Sequence, residues 1–466
     1  MDLHSGLPYW VVKNSLLDYF HPLEDDFSTD IVVVGSGITG ALMVHELCSA
    51  GLRCCMVDKR SIATGSSIAS TALLQYEIDV PLCEMAEIIG EDNAVSAYRA
   101  SLASIADIEK VLKETGVDAD FEKRPSLFYA SIPKDIELIE KEYVIRKKHN
   151  LPVRLLGKEE IKKLYNIEVP GNALLNRVSA QMDAYKATTG LLLYHMKKDG
   201  LEIFTHTGVT ECVEMPEGYI IETDRGHKIE CKYVIIAAGF EAGKFLSREI
   251  MDLTSTYALV SHPVDSKDLW PEQCLIWETA EPYLYIRTTR GNRIIVGGED
   301  EKFSDPERRD ALLRKKTLVL EKKFRRLFPS IPFKTEMAWC GTFSTTKDGL
   351  PFIGNCPDKD RMFFDLGYGG NGITFSMIGA QIICKKLQGI DDERGRIFGY
   401  ERIENIGNLQ RVKGECNLNS VWFLFLLNHN KYNFFFLDLQ MLLKVVFGCV
   451  QGRRRMSRLY TLAHIR

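Results

Sequence analysis

The chain has 466 residues, of which 45% are hydrophobic and 26% are charged, and its formal net charge is −4 at pH 7. This length is enough for two domains, the composition is that of an ordinary globular protein, and the weak negative charge gives no broad basic surface for nucleic acid. The 12 cysteines form no CxxC pair and the 10 histidines are scattered. The sequence therefore predicts reduced thiols in a cytoplasmic protein, with no disulfide framework, no metal site and no secretory signal.

A βαβ unit is predicted near the N-terminus. Ile31–Val34 is a β-branched run typical of a buried parallel strand, residues 41–50 have helical spacing, and residues 54–57 form a second apolar run that ends at Asp58. The loop between the first strand and the helix reads Gly35-Ser36-Gly37-Ile38-Thr39-Gly40.

The three glycines of this loop have separate expected functions. Gly35 permits the tight turn out of the strand, Gly37 lets the backbone approach a pyrophosphate, and Gly40 lets the helix pack closely on the strand. The helix N-terminus offers N–H groups to the phosphates, and Asp58 can accept hydrogen bonds from ribose hydroxyls. A glycine-rich turn without a ligand is the alternative, but strand, helix and acidic residue together predict dinucleotide binding.

Further along the chain, residues 80–148 have a charged helical pattern, and a block of mixed strands and turns follows. Strands are predicted at 233–236, 283–288 and 293–298, and helices at 309–327 and 373–387. Strand and helix signals alternate at both ends around a different middle, which predicts an α/β fold (α+β overall) whose nucleotide-binding domain is discontinuous.

Three features favour FAD over NAD as the dinucleotide. Lys59 and Arg60 are followed by a small, hydroxylated segment at 64–67, and the strand at 233–236 ends in Ala-Ala-Gly. A glycine-rich run at 367–372 leads directly into a helix, whose start can stabilise negative charge on a reduced flavin. The predicted cofactor-binding residues are Gly35, Ser36, Gly37, Ile38, Thr39, Gly40, Asp58, Lys59, Arg60, Gly65, Ser66, Ser67, Ala238, Gly239, Gly369, Gly370, Asn371, Gly372 and Ile373.

On these motifs, the sequence resembles the D-amino-acid-oxidase-type (DAO) family of FAD-dependent oxidoreductases, and within it the gamma-glutamylputrescine-oxidase-like and deaminating members. The matching segments are residues 31–40, 58, 65–67, 234–239, 296–298, 339–354 and 369–372. The resemblance implies a Rossmann-like FAD-binding domain and a second, substrate domain built on a mostly antiparallel sheet. It also implies oxidation of a C–N bond in a small amine or amino-acid-like substrate by hydride transfer to flavin N5, with O₂ or a redox partner as electron acceptor.

We assign residues 1–80, 150–245 and 339–404 to the FAD-binding domain and residues 81–149 and 246–338 to the substrate domain. Residues 405–466 form an atypical tail with two short apolar runs and a basic cluster. A membrane anchor and a translated artefact are the two interpretations of the tail. Neither run reaches the roughly 20 residues that span a bilayer, so we favour the artefact or a poorly folded extension and expect no membrane association.

One departure from the family pattern concerns the substrate. Many amino-acid-oxidising members read W-x-G-x-R-P-x-T-x-D-G-x-P, in which the arginine binds the substrate carboxylate through paired hydrogen bonds. Phe343 stands at that arginine's position in this chain. Either Arg287 replaces the missing clamp or the substrate is an amine, and Arg287 can equally be a surface residue at a strand end.

The other site candidates are aromatic. Tyr283, Tyr285 and Tyr368, with Arg287, are the predicted catalytic residues, and Tyr76, Tyr185 and Trp339 are further candidates for an aromatic cage around an amine. Cys340 lies one residue out of register with the cysteine that attaches flavin covalently in some relatives, so non-covalent FAD is expected. Asp183 is predicted to be a helix N-cap. A flavin monooxygenase and a non-catalytic FAD-binding protein remain the alternative functions.

Overall fold

The computed structural model of the chain describes residues 3–17, 20–246, 250–355 and 359–402. The strands are β1 (His4–Gly6), β2 (Phe27–Ser28), β3 (Ile31–Val34), β4 (Cys54–Val57), β5 (Leu73–Leu74), β6 (Glu122–Tyr129), β7 (Arg154–Leu156), β8 (Ala173–Gln181), β9 (Glu202–Phe204), β10 (Val209–Met215), β11 (Gly218–Thr223), β12 (Lys228–Cys231), β13 (Tyr233–Ile236), β14 (Asp252–Ser261), β15 (Leu275–Glu278), β16 (Leu284–Thr288), β17 (Ile294–Glu301), β18 (Thr335–Thr345), β19 (Phe352–Asn355) and β20 (Met362–Leu366).

The α-helices are α1 (Tyr9–Asn14), α2 (Ile38–Ser49), α3 (Ser66–Ala69), α4 (Leu82–Ile89), α5 (Glu91–Thr115), α6 (Ile136–Lys148), α7 (Lys158–Tyr165), α8 (Ala184–Asp199), α9 (Pro306–Leu327), α10 (Gly372–Leu387) and α11 (Arg394–Phe398). Short 3₁₀ helices lie at Pro133–Asp135, Gly239–Phe245, Ser266–Asp268, Pro271–Gln273 and Gly369–Asn371.

The predicted βαβ unit forms the centre of a six-stranded sheet with the order β19-β20-β13-β3-β4-β9. All neighbours are parallel except β19, which is antiparallel to β20. Every residue of β3 and β4 is buried, as expected of parallel strands that are covered on both faces.

Alternating side chains of this sheet enter two different cores. Val33 and Met56 pack with residues of α2, α5, α8 and α10 on one face. Val32 and Val57 pack on the other face against the small sheet β10-β11-β12-β2. The period of two along each strand therefore places the parallel sheet between a helical layer and a second sheet.

The second large element is a ten-stranded sheet with the order β1-β18-β14-β17-β16-β15-β6-β8-β5, with β7 beside β8. Its neighbours are antiparallel except for β15 and β6. Helix α9 packs against this sheet through Leu320 and Phe324. The mixed α/β fold with a mostly antiparallel second sheet confirms the predicted fold class.

The start of one predicted helix differs slightly from the structure, and the predicted N-cap of another is present. Helix α9 begins at Pro306 rather than 309, because the Asp305 side chain caps it by accepting a hydrogen bond from the Arg308 backbone N–H at 2.8 Å. The predicted N-cap Asp183 is confirmed, since its carboxylate accepts from the Lys186 backbone N–H at 3.0 Å.

The described residues form one compact unit. Helices α4 and α5, which the sequence assigns to the substrate domain, share a core with α2, while β8, assigned to the FAD-binding domain, lies in the ten-stranded sheet. The division into domains remains a prediction. The predicted tail lies outside the described residues. No helix in the described part of the chain is both long and apolar enough to cross a membrane.

Candidate functional site

A single long cavity begins at the carboxyl end of β3 and β4 and continues to the face of the ten-stranded sheet. Of the 19 residues predicted to bind the cofactor, all but Ser36 and Gly40 line it. Two distant parts of the sequence, the loop after β3 and the run before α10, thus border one cavity.

The three glycines of the β3–α2 loop have different surroundings. Gly35 has a φ of +113°, and a Cβ there would overlap the Ala237 carbonyl. A Cβ on Gly40 would overlap the Gly35 carbonyl, so both positions require glycine for packing. Gly37 has an ordinary φ of −78°, and a Cβ there would meet only the Ser67 hydroxyl at 3.0 Å. Gly37 therefore faces open space in the cavity, as a pyrophosphate cradle requires.

Asp58 is held at the end of β4 by the same loop. Its Oδ2 accepts hydrogen bonds from the backbone N–H and the hydroxyl of Ser36, both at 2.7 Å, and its Oδ1 accepts from the Arg60 N–H at 2.8 Å. Ser36 does not line the cavity, so this residue positions Asp58 rather than contacting a ligand. A carboxylate oriented in this way can still accept ribose hydroxyls on its free lone pairs.

The hydroxylated segment after Asp58 has two different serines. The Ser67 hydroxyl accepts the Ile38 backbone N–H at 2.8 Å and so takes one of the donors at the start of α2. The buried Ser66 hydroxyl lines the cavity and has no hydrogen-bond partner within the described residues. A buried hydroxyl without a partner fits a site completed by a polar ligand.

Two basic residues at this end of the cavity share one carboxylate. Lys59 Nζ and Arg60 Nη1 lie 2.6 and 2.9 Å from the Glu241 carboxylate. Burial alone would raise the pKa of Glu241, but the hydrogen bonds from Lys59 and Arg60 hold this pKa at about 2. The three side chains therefore form a charged border around the nucleotide end.

The start of α10 forms the wall at the other end. Gly369 has a φ of +58°, and a Cβ on Gly369 or Gly370 would lie 2.5 or 2.6 Å from the Asp79 carboxylate. The Gly370 N–H donates to Asp79 Oδ2 at 2.6 Å, and Asn371 Nδ2 donates to the Glu77 carbonyl at 2.7 Å. These bonds attach the helix N-terminus to the segment at 75–79.

Tyr283 and Tyr285 face this end of the cavity from β16 and its preceding residue, with ring centroids 5.8 Å apart. The Tyr285 ring lies directly on Gly297, where any Cβ would overlap it. Burial raises the pKa of the Tyr285 hydroxyl to about 12, although the nearby Thr71 and Thr256 side chains oppose this shift. Both tyrosines are thus uncharged, fixed walls of the site.

Three carboxyl groups surround the same end, and sequence reasoning missed all three. The Asp79 side chain is exposed to the cavity, and desolvation by the surrounding protein raises its pKa. Burial raises the pKa of Asp300 to about 7, although the nearby Thr256 and Tyr283 side chains favour its ionised form. Its Oδ1 has no hydrogen-bond partner within the described residues. Glu77 is buried and lines the cavity; its Oε1 contacts Arg146 at 3.3 Å, while its Oε2 has no hydrogen-bond partner within the described residues.

The structure corrects both interpretations of Arg287. This residue is only 2% exposed and does not line the cavity. It is therefore not a surface residue, and its guanidinium does not reach the space where a substrate carboxylate would bind. Its Nη1 donates to the carbonyls of Thr71, Ala72 and Met182 at 2.7–2.9 Å, and its Nε donates to that of Thr288. Arg287 holds backbone segments together beside the cavity.

The remaining predicted aromatic residues divide into two groups. The Tyr368 ring lines the cavity, but its hydroxyl donates to the Asp365 carbonyl. Tyr76, Tyr185 and Trp339 lie outside the lining; Trp339 Nε1 donates to the Ala69 carbonyl at 2.8 Å. Trp277 was not predicted and lines the cavity.

Phe343 lies on β18 and lines the cavity, at the position where the family pattern has an arginine. Among the described residues, the cations that line the cavity are Lys59, Arg60 and Lys244. Lys59 and Arg60 pair with Glu241, and Lys244 lies on the same 3₁₀ helix as Glu241. The aromatic end is therefore acidic and carries no basic side chain from the described part of the chain.

Comparison with known proteins agrees with this geometry. Residues 30–386 match the family model described as DAO, FAD dependent oxidoreductase. The glycine oxidase of Geobacillus kaustophilus is 23% identical over 369 residues, which cover 77% of this chain and 93% of the relative. The glycine oxidase of Bacillus licheniformis is 22% identical over 391 residues, covering 81% and 98%. The L-proline dehydrogenase from P. horikoshii superposes with a TM-score of 0.69 at 19% identity, over 82% of this chain and 99% of that chain.

Proposed function

Because this chain belongs to the DAO family of FAD-dependent oxidoreductases, we propose that it oxidises a C–N bond of a small amine or amino-acid-like substrate. The cavity supports this assignment through its two chemically different ends. One end has an open glycine cradle at Gly37 and the Asp58 carboxylate. The other end has the start of α10 and the aromatic wall of Tyr283 and Tyr285. FAD, when bound there, supplies the hydride acceptor.

The observation that carries the substrate class is the charge of the aromatic end. Asp79 is open to the cavity, Asp300 lies behind Tyr283, and Phe343 replaces the arginine of the family pattern. A carboxylate buried against these groups would lack a cationic partner, whereas an ammonium group would gain an anionic partner. We therefore assign an amine, or an amino compound whose carboxylate is remote from the reacting carbon, as the substrate.

The carboxyl groups also suit the proton that such a substrate must lose. An amine binds as a cation at neutral pH and must be neutral before its C–H bond can give up a hydride. Asp79 is the acidic side chain that lines the cavity beside the start of α10, so it is our candidate for contact with the amine. Asp300 lies close enough to Thr256 and Tyr283 to affect the site, so we assign it a positioning role rather than contact with the substrate.

We propose that FAD is bound non-covalently. No cysteine or histidine of the described residues lines the cavity. Cys340 is instead a residue of β18, and its Sγ lies 3.4 Å from Asp310 Oδ1. Burial raises the pKa of this thiol to about 12, which makes it a poor nucleophile.

We also propose a cytoplasmic location, since the nine described cysteines are all free thiols. The electron acceptor is O₂ or a redox partner. Rapid reoxidation of the reduced protein in air would identify an oxidase, and slow reoxidation would identify a dehydrogenase.

The test is the visible spectrum of the purified protein, followed by anaerobic bleaching with a panel of amines and amino acids. We expect a yellow protein that releases free FAD on acid treatment and is bleached by amines. A protein that cannot be reconstituted with FAD would contradict the cofactor assignment. Reconstituted protein that no amine reduces would contradict the substrate class.

A further inference from the structure

A cluster of soft and nitrogen ligands lies at the opposite end of α2 from the FAD site. It comprises Cys48, Cys54, His195 and Asp199, with His45 beside them. The cluster is about 15 Å along the helix axis from Ile38, at about 1.5 Å per residue. The function proposed above does not involve any of these residues.

We propose that this cluster is a binding site for Zn²⁺ or a similar thiophilic divalent cation. One ligand atom each from Cys48, His195 and Asp199 lies within 4.8 Å of the other two. Thiolate, imidazole and carboxylate are the ligands of zinc in proteins, at about 2.3, 2.0 and 2.1 Å respectively. To share one ion, Cys48 must move slightly closer, while His195 Nδ1 and Asp199 Oδ2, now 2.6 Å apart, must move slightly apart.

Cys54 is the candidate fourth ligand, although it lies outside the group of three residues whose ligand atoms are all within 4.8 Å of one another. Its Sγ lies 3.9 Å from the Sγ of Cys48. Two sulfurs at about 2.3 Å from a tetrahedral ion are about 3.8 Å apart, whereas the sulfurs of a disulfide are about 2.05 Å apart. The separation of the two thiols thus suits a shared ion better than a disulfide.

His195 already has the hydrogen bonds expected around a metal. Its Nδ1 lies 2.6 Å from Asp199 Oδ2, and its Nε2 lies 3.0 Å from the Nδ1 of the buried His45. When Nδ1 and Asp199 bind the ion, Nε2–H can donate to His45, which then has its own proton on Nε2. A metal-binding histidine usually donates its second N–H to an acceptor in this way.

The backbone around the cluster also favours a cation. Cys48 lies in the last turn of α2 and Asp199 is the last residue of α8, so two helix C-termini with their partial negative charge meet here. The last turn of α2 contains no basic side chain, whereas the last turn of α8 carries Lys197 and Lys198. Asp199 is partly exposed, with a side-chain exposure of 27%, which leaves a route for the ion from solvent.

The test uses untagged, flavin-loaded protein whose thiols have been reduced and from which bound metal has been removed with a chelator. Zn²⁺ alone is titrated in competition with a chromophoric chelator, and Co²⁺ is then titrated as a spectroscopic probe at wavelengths longer than those the flavin absorbs. We expect one-to-one binding, visible Co²⁺ bands of a tetrahedral thiolate site, and a higher melting temperature with Zn²⁺.

Cys48→Ser and Asp199→Asn should lose this binding and keep their flavin content. Cys83→Ser, a half-buried cysteine on α4, is the matched control and should bind like wild type. His45→Gln should weaken binding by roughly 10- to 100-fold without abolishing it. Equal Zn²⁺ affinity in Cys48→Ser and wild type would overturn the site. The site would also be overturned if wild-type protein with free thiols failed to bind Zn²⁺. A disulfide between Cys48 and Cys54 in protein purified without air would overturn it as well.

Discussion

Replacing Gly37 with valine should remove FAD binding while the fold survives. The backbone at Gly37 has φ −78° and ψ −173°, which any residue adopts, and the one atom that a Cβ would meet within 4 Å is the Ser67 hydroxyl. Exchanging glycine for valine at a helix N-cap costs about 1 kcal/mol of stability. The side chain would occupy the space through which a pyrophosphate reaches the N–H groups of α2.

The loss of affinity follows from the hydrogen bonds that this side chain blocks. Two charge-assisted bonds to the pyrophosphate, at about 1.5–3 kcal/mol each, amount to about 3–6 kcal/mol. At about 1.4 kcal/mol per tenfold, the dissociation constant for FAD should rise by a factor of about 100 or more. Quenching of flavin fluorescence during titration of the apoprotein measures this constant, and circular dichroism with urea unfolding measures the fold.

Gly40→Ala is the matched comparison, because a Cβ there overlaps the Gly35 carbonyl and should destabilise the protein itself by about 1–3 kcal/mol or more. If Gly37→Val keeps wild-type FAD affinity, the cradle assignment is wrong. If it unfolds to the same degree as Gly40→Ala, the open space seen beside Gly37 is not real.

Three further substitutions test the aromatic end. Burial raises the pKa of Asp300 to about 7, so between about pH 4 and pH 7 the folded protein holds a proton that the unfolded chain has lost. The free energy of unfolding therefore decreases as the pH rises through this range. From pH 5 to pH 8, the free energy of unfolding measured in urea should fall by about 2 kcal/mol more in wild type than in Asp300→Asn. Substitution of the exposed Asp268 by Asn is the control and should behave as wild type. Equal pH dependence of the unfolding free energy in wild type and Asp300→Asn would refute this prediction. Phe343→Arg should improve flavin reduction by α-amino acids by about 100-fold relative to amines, and an unchanged ratio in stopped-flow assays would show that residue 343 does not face the substrate. Arg287→Met should lower the free energy of unfolding by about 3 kcal/mol or more, because it removes a hydrogen-bond donor from four backbone carbonyls. Its substrate preference should stay as in wild type. A changed substrate preference at wild-type stability would show that Arg287 binds the substrate carboxylate.

The nucleotide end could be predicted because its determinants are contiguous in the chain. Gly35, Gly37 and Gly40 follow a buried strand, and Asp58 ends the next one. Local rules on turns, helix starts and strand ends therefore suffice to bring these residues together. The run before α10 could be predicted for the same reason, since glycines that lead into a helix form a local signal.

The acidic end could not be predicted in the same way. Asp79 follows an irregular segment and Asp300 lies near the end of β17, and neither belongs to a motif. They come to the same end of the cavity only in the folded chain, where Asp79 contacts the start of α10 and Asp300 lies on the ten-stranded sheet. Arg287 shows the opposite failure, since its position two residues after Tyr285 suggests the cavity, whereas the carbonyls of Thr71 and Met182 surround its guanidinium.

The proposed metal ligands escaped the sequence search for a related reason. His195 and Asp199 are spaced by one helical turn, but Cys48 lies far away in the chain, on α2. Only the packing of α2 on α8 places these residues side by side. A search by ligand spacing within one segment finds no pattern in such a cluster.

The central claim is that an acidic aromatic end without a basic side chain selects amines over α-amino acids. The most direct measurement compares anaerobic flavin reduction by butylamine with reduction by either enantiomer of norvaline, and by pyrrolidine with reduction by proline. Each pair differs only in the α-carboxylate, whose burial without a cationic partner costs several kcal/mol. We predict that the amine of each pair reduces the flavin at least about 100-fold more efficiently, and faster reduction by norvaline or proline would contradict the account.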